Sequence, residues 1–145
     1  MVVKTEYLYA AAIIAVFLLI LIVSLYFCKK WKKRRPVLDG RDFEVLCSEL
    51  LSAKGYEKIE LTPVTGDYGV DIFAEKDGVR WAFQCKYYSN PVGTHAVQEI
   101  YSGRDFYHCM VGVVMTNNRF TKNAIKLADA LNILLWDGEM LDKFI

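Results

Sequence analysis

The chain has no CxxC pair, no Walker loop, no GxGxxG and no internal repeat. Nucleotide-binding enzymes of the phosphate-loop or dinucleotide-fold kind therefore find no support. Its four cysteines (Cys28, Cys47, Cys85, Cys109) are scattered through 145 residues and have no accompanying histidine pattern. That spacing argues against zinc and gives no sign of a disulfide framework; small buried thiols in a reducing compartment are the simpler account. A large charge of one sign is also missing, but the net +1 hides an asymmetry. Residues 1–35 carry seven Lys/Arg against Glu6, a net +6, and residues 36–145 carry eleven against sixteen Asp/Glu, a net −5. An acidic domain is not what non-specific DNA binders usually show, although a bound cation would offset part of its charge.

What is present begins with one long apolar run. Tyr7 to Cys28 is 22 residues without a formal charge, and it inflates the hydrophobic content to 54%. As a helix it would be about 33 Å long, enough for a bilayer core of about 30 Å. A signal peptide would carry its positive charge before the apolar run. Here Lys29-Lys-Trp-Lys-Lys-Arg-Arg35 follows it. The expectation is a single transmembrane helix in residues 1–28, a polybasic linker over 29–38 and one α/β domain over 39–145. Six basic residues after the span against Lys4 before it put the C-terminal domain in the cytoplasm of a single-pass cell-membrane protein. Membrane lipid is then the expected partner of residues 7–35.

The domain is organised around Gly66–Lys86, GDYGVDIFAEKDGVRWAFQCK. Asp77-Gly78 between two β-branched and aromatic runs predicts a hairpin with a type I′ turn. Paired residue numbers then sum to 155, which sets Asp71 opposite Gln84. Alternation puts Asp71, Phe73 and Glu75 on one face with Arg80, Ala82, Gln84 and Lys86. The opposite face of the second run (Val79, Trp81, Phe83, Cys85) is apolar and suited to the core. Asp71 offers hard oxygen to Mg²⁺, Gln84 a neutral carbonyl oxygen, and Lys86 a charge for a phosphate or an attacking water. The alternative is a surface sheet face bearing a weak exposed Asp–Lys pair.

The motif G-D-Y-G-V-D-I followed by Q-C-K, with twelve residues between Asp71 and Gln84, resembles the Mrr-like branch of the PD-(D/E)xK restriction-endonuclease superfamily. In that branch Gln replaces the usual second acidic residue. The likeness extends from about Gly40-Arg-Asp-Phe-Glu44 to Asp137-Gly-Glu-Met-Leu141. It takes in Leu50-Leu-Ser-Ala-Lys-Gly-Tyr56, Val97-Gln-Glu99 and Val114-Met-Thr-Asn-Asn-Arg-Phe-Thr121. Tyr68 departs from it, standing where the family more often has a second Gly. The resemblance implies an α/β fold, a mixed central sheet flanked by helices. It also implies a DNA endonuclease dependent on Mg²⁺, with Mn²⁺ able to substitute. Asp71 and Gln84, with the Cys85 backbone carbonyl, would hold the metal, and Lys86 would be the catalytic lysine. Glu44 on the first helix would assist, and Gln98 on a later helix would support the site. Cutting both strands would take two copies, a homodimer, whereas nicking would not.

Asp39 or Asp42 is expected to cap a helix to about Lys54, with Phe43, Leu46, Cys47, Leu50 and Leu51 inward. A strand follows over 56–61. After Lys86, Thr94 is the expected cap of a helix to about Tyr101. Residues 109–116 read as a strand buried on both faces. Thr121 caps a helix to about Asn132, and residues 133–136 form a short strand before a terminal half-helix. Strand, crossover helix and strand in that order imply parallel pairing. A rival of another class is a membrane-tethered module that binds nucleic acid or a protein without cutting. The acidic balance and the missing second carboxylate favour that rival, and the retained Lys86 opposes it. An RNA-directed enzyme is a third reading.

Overall fold

The computed structural model describes residues 7, 9, 13–23, 39–63, 66 and 68–144. The chain divides into two units, Met1–Pro36 and Val37–Ile145. In the first, residues 13–23 form a helix, α1, with exposed apolar side chains. The expected transmembrane span is corrected here. Among the described residues no helix is long and apolar enough to cross a membrane. The described helical run 13–23 rises about 17 Å, against a bilayer core of about 30 Å. The uncharged count over Tyr7–Cys28 measured hydropathy, not helix length. The single-pass membrane location, the cytoplasmic orientation and the lipid partnership of residues 7–35 fall with the span. The basic linker over 29–38 lies outside the described residues.

In the second unit, helix α2 (Gly40–Ala53) starts at Asp39, whose side chain accepts from the Asp42 amide. A cap of this kind satisfies one of the orphan donors of the first turn. Its buried residues, Phe43, Cys47, Leu50 and Leu51, recur at helical spacing. Three strands follow, β1 (Glu57–Leu61), β2 (Ile72–Lys76) and β3 (Val79–Lys86). Then come α3 (Thr94–Phe106), β4 (Val111–Thr116), α4 (Lys122–Leu131), β5 (Ile133–Trp136) and α5 (Gly138–Asp142).

The five strands lie in the order β1-β2-β3-β4-β5. The first two pairings are antiparallel and the last two parallel, as crossover helices α3 and α4 require. The result is a mixed sheet with helices on both faces. On one face Phe43, Cys47, Leu50 and Leu51 of α2 meet Ile72, Phe83, Cys85, Met115, Trp136 and Leu141. On the other, Ala96, Val97 and Ile100 of α3 and Ala124 and Ala128 of α4 meet Ala82 and Val114. Tyr56 anchors the first face, its ring edge-on to Trp81 at 5.3 Å and to Phe83 at 5.7 Å.

Helix α3 departs most from the sequence reading. It runs five residues past Tyr101, and Gly93 rather than Thr94 takes the cap position without a side-chain bond. Ser102-Gly103 resembles a helix stop, yet Gly103 is a buried helical residue. It is glycine for a steric reason: a Cβ there would collide with the Tyr68 carbonyl oxygen and stand 2.6 Å from Val70 Cγ2. Residues 68–70 therefore pack directly on α3.

Candidate active site

The hairpin forms as its turn residues dictate. Asp77 and Gly78 both have positive φ, 52° and 76°, as a type I′ turn requires. Lys76 pairs with Val79, Glu75 with Arg80, Phe73 with Ala82 and Ile72 with Phe83, the expected register. At Asp71 the ladder shifts by one. The Asp71 amide donates to the Phe83 carbonyl at 2.8 Å, although Phe83 is already the partner of Ile72. The Asp71 carboxylate accepts from the Cys85 amide at 2.6 Å, and its backbone carbonyl accepts from the Thr62 amide at 2.9 Å. Asp71 is thus held between the end of β3 and the end of β1.

Strand β3 sends Ala82 to the α3–α4 core and Phe83 and Cys85 to the α2 core. Alternation turns Gln84 and Lys86 toward α3, and both meet Glu99 there. Gln84 Nε2 donates to Glu99 Oε2 at 2.7 Å, and Lys86 Nζ lies 2.9 Å from the same oxygen. Gln84 is only 2% exposed, and its Oε1 is buried without a hydrogen-bond partner. His95 Nδ1 stands 3.2 Å from Glu99 Oε1, with most of its ring in solvent.

Charge follows from this packing. Burial alone pulls the Lys86 pKa down, but the Glu99 carboxylate, with Tyr88 and Asp71, more than reverses it, and the net shift is upward. Lys86 therefore stays an ammonium, a donor and a charge rather than a base. Burial raises Glu99, but Lys86, Gln84 and His95 hold it below the usual carboxylate value. The Cys85 thiol is pushed well up, by burial first, then by Cys47 and by the nearby Asp71 and Glu44 carboxylates. Asp71 is thus in electrostatic reach of Lys86 and, with Glu44, of Cys85.

Of the residues expected from sequence, Asp71, Gln84, Cys85 and Lys86 gather at the hairpin's open end. Glu44 joins from α2, half-buried, with Arg41 Nη1 at 2.6 Å. The same Arg41 nitrogen reaches the carbonyl of Thr62, the residue that holds Asp71. Gln98 does not join them; it is exposed, and its carbonyl accepts from Ser102. The α3 residue at the site is Glu99. Two further residues escaped the sequence reading. Asn117 bonds both the amide (2.8 Å) and the carbonyl (3.1 Å) of Tyr88, and Asn118 Nδ2 donates to that carbonyl as well. They clamp the chain just after Lys86. The asparagine pair in Thr116-Asn-Asn-Arg was the available signal.

Asp71 oxygen, the unpaired Gln84 carbonyl oxygen and a backbone carbonyl are hard donors that fit Mg²⁺ or Mn²⁺. Among the described residues no three His, Cys, Asp or Glu gather into a metal site. A cation here would keep part of its shell as water or substrate oxygen, as Mg²⁺ commonly does.

The catalytic-domain family Mrr_cat, described as restriction endonuclease, matches residues 36–145. The chain belongs to this family and carries a restriction-endonuclease-like nuclease domain. No curated protein sequence matches it. Among solved structures it is similar to AF1548, a protein of unknown function, at 23% identity and TM-score 0.58, covering 68% of this chain and 62% of that one. It is also similar to AspBHI, a DNA modification-dependent restriction endonuclease, at 19% identity and TM-score 0.56, covering 70% and 30%. A third likeness is to MspJI restriction endonuclease in complex with a 27-mer oligonucleotide, at 20% identity and TM-score 0.53, covering 84% and 30%. These structures share the fold, and the chain spans less than two thirds of each.

Proposed function

We propose that the domain hydrolyses phosphodiester bonds in DNA with a divalent cation, Mg²⁺ or Mn²⁺ in its place. One observation carries this reading: the Gln84 oxygen is buried without a hydrogen-bond partner, two residues before Lys86, whose charge the Asp71 carboxylate reaches. Asp71, Gln84 Oε1 and the Cys85 backbone carbonyl would hold the ion. When bound, such an ion supplies Lewis-acid activation of water and phosphate. Lys86, kept protonated, orients the attacking water and stabilises charge developing on the phosphate. Glu44 assists from the α2 side. DNA as substrate is supported by the family's description and by the oligonucleotide bound to MspJI. With one such site per chain, cutting both strands takes two copies, whereas a nick takes one.

The test incubates the full chain with supercoiled plasmid in Mg²⁺, Mn²⁺ or EDTA. Nicked or linear plasmid is expected with metal, and none with EDTA or with Lys86→Ala. Cutting that survives either change defeats the assignment. The net −5 of residues 36–145 favours a second reading, a module that binds nucleic acid or a partner protein without cutting. A gel shift without cleavage in every metal would select it, and the same assay on RNA tests the choice of polymer.

A further inference from the structure

The two ends of the Gln84 amide have different fates. Nε2 donates to Glu99 Oε2 at 2.7 Å, while Oε1, though buried, meets no hydrogen-bond partner. A carboxylate only accepts, so an amide facing it must present nitrogen. The oxygen is thereby turned away from Glu99 and left for another partner. Glu99 is itself fully engaged. Its Oε2 takes Gln84 and Lys86, and its Oε1 faces His95. Charge points the same way. Asp71, Gln84 and Lys86 together sum to zero, and adding Glu99 brings the group to −1, the sign a cation seeks.

We propose that Glu99 is a positioning residue. It fixes the Gln84 amide so that Oε1, and not Nε2, is offered to the divalent cation. From α3 it also supplies the negative charge that a carboxylate at position 84 would otherwise bring. This rests on the reading of Asp71, Gln84 and Cys85 as a cation site. The arrangement explains how a neutral amide can stand where a carboxylate would serve: a carboxylate needs no orientation, whereas an amide turned the wrong way repels the ion.

Two measurements on the full chain test it. The first is Mn²⁺ uptake, followed by the electron paramagnetic resonance of the free ion. Loss of an orienting partner commonly weakens metal affinity about 10–100-fold, and that loss is expected for Glu99→Ala. In Gln84→Glu the sign reverses: Glu99 now faces another carboxylate, so adding Glu99→Gln strengthens Mn²⁺ binding, although Glu99→Gln alone weakens it. An equal loss from Glu99→Gln in both backgrounds, or a Glu99→Ala affinity within about twofold of wild type, overturns the proposal. The second needs no metal. In a ¹H–¹⁵N spectrum the Gln84 side-chain amide protons should be shifted downfield and protected from exchange, and Glu99→Ala should abolish both effects. Resonances unmoved by that change overturn the proposal. A wild-type chain that shows the amide signature but takes up no Mn²⁺ overturns the cation site itself, and the signature tells that failure apart from failure of Glu99's role. Glu99→Gln, nearly the same in shape, keeps the test decisive should Glu99→Ala not fold.

Discussion

Replacing Gly69 by alanine would probe the contact that brings residues 68–70 onto α3. Gly69 has φ +80°, and a Cβ there would stand 2.7 Å from Glu99 Cβ and 2.9 Å from the Glu99 backbone carbon. An L-residue in the left-handed region costs about 1–2 kcal/mol. Overpacking against atoms that cannot swing aside costs about 1–3 kcal/mol more. The expected loss for Gly69→Ala is therefore about 2–5 kcal/mol, the sum of those two effects. Gly78 supplies the control, since its φ is +76° and nothing lies within 4 Å of its Cβ position. Gly78→Ala should show the conformational cost alone, about 1–2 kcal/mol. Gly103→Ala separates the steric part, because its backbone is ordinary helix. There a clash of about 1–3 kcal/mol is offset by about 1 kcal/mol of gained helix propensity. Urea unfolding of the full chain, followed by far-ultraviolet circular dichroism, gives all three values. If Gly69→Ala destabilises no more than Gly78→Ala, the close approach of the loop to Glu99 is wrong.

Phe83 is fully buried between the rings of Tyr56, Trp81 and Trp136, so Phe83→Ala should cost about 3–5 kcal/mol in the same unfolding assay; a loss below 1 kcal/mol would contradict the packing. Burial, then the Asp77 charge, raises the Tyr56 hydroxyl above its ordinary pKa. A raised folded value means stability is fully present below the unfolded pKa and is lost as pH climbs from it toward the folded value. Tyr56→Phe should therefore flatten the alkaline fall in melting temperature, and an unchanged slope would exclude Tyr56 as its source. Cys47, Cys85 and Cys109 are buried, and burial raises the Cys85 and Cys109 thiols. With Cys28→Ser in place, labelling by a disulfide reagent at pH 8 should be at least about tenfold slower in the native chain than in urea, because the thiolate is the reactive form. Rapid native labelling would refute the burial.

Local chemistry made much of this fold readable. Asp77-Gly78 demands positive φ twice, and that demand alone set the β2–β3 register from Ile72 to Val79. Apolar spacing placed α2, and Asp39 and Thr121 took the caps that their side chains suit. Hydropathy failed at the N-terminus because a count of uncharged residues does not measure a helix. The shift of the ladder at Asp71 was equally hidden, since the strand pattern continues through it and only the Phe83 carbonyl reveals the change.

The choice between Gln98 and Glu99 turned on a subtler failure. Helical periodicity finds the face that packs through large apolar groups, here Val97 and Ile100. A second face of α3 packs through the absence of side chains. Glu99 and Gly103 are four residues apart, so they lie on one stripe of the helix. Gly69 and the Tyr68 carbonyl press against that stripe. A glycine inside a helix therefore marks close approach by another backbone as readily as it marks an end. Read that way, Gly103 would have extended α3 past Tyr101 and turned the residue one helical turn before it, Glu99, toward the loop that carries Asp71.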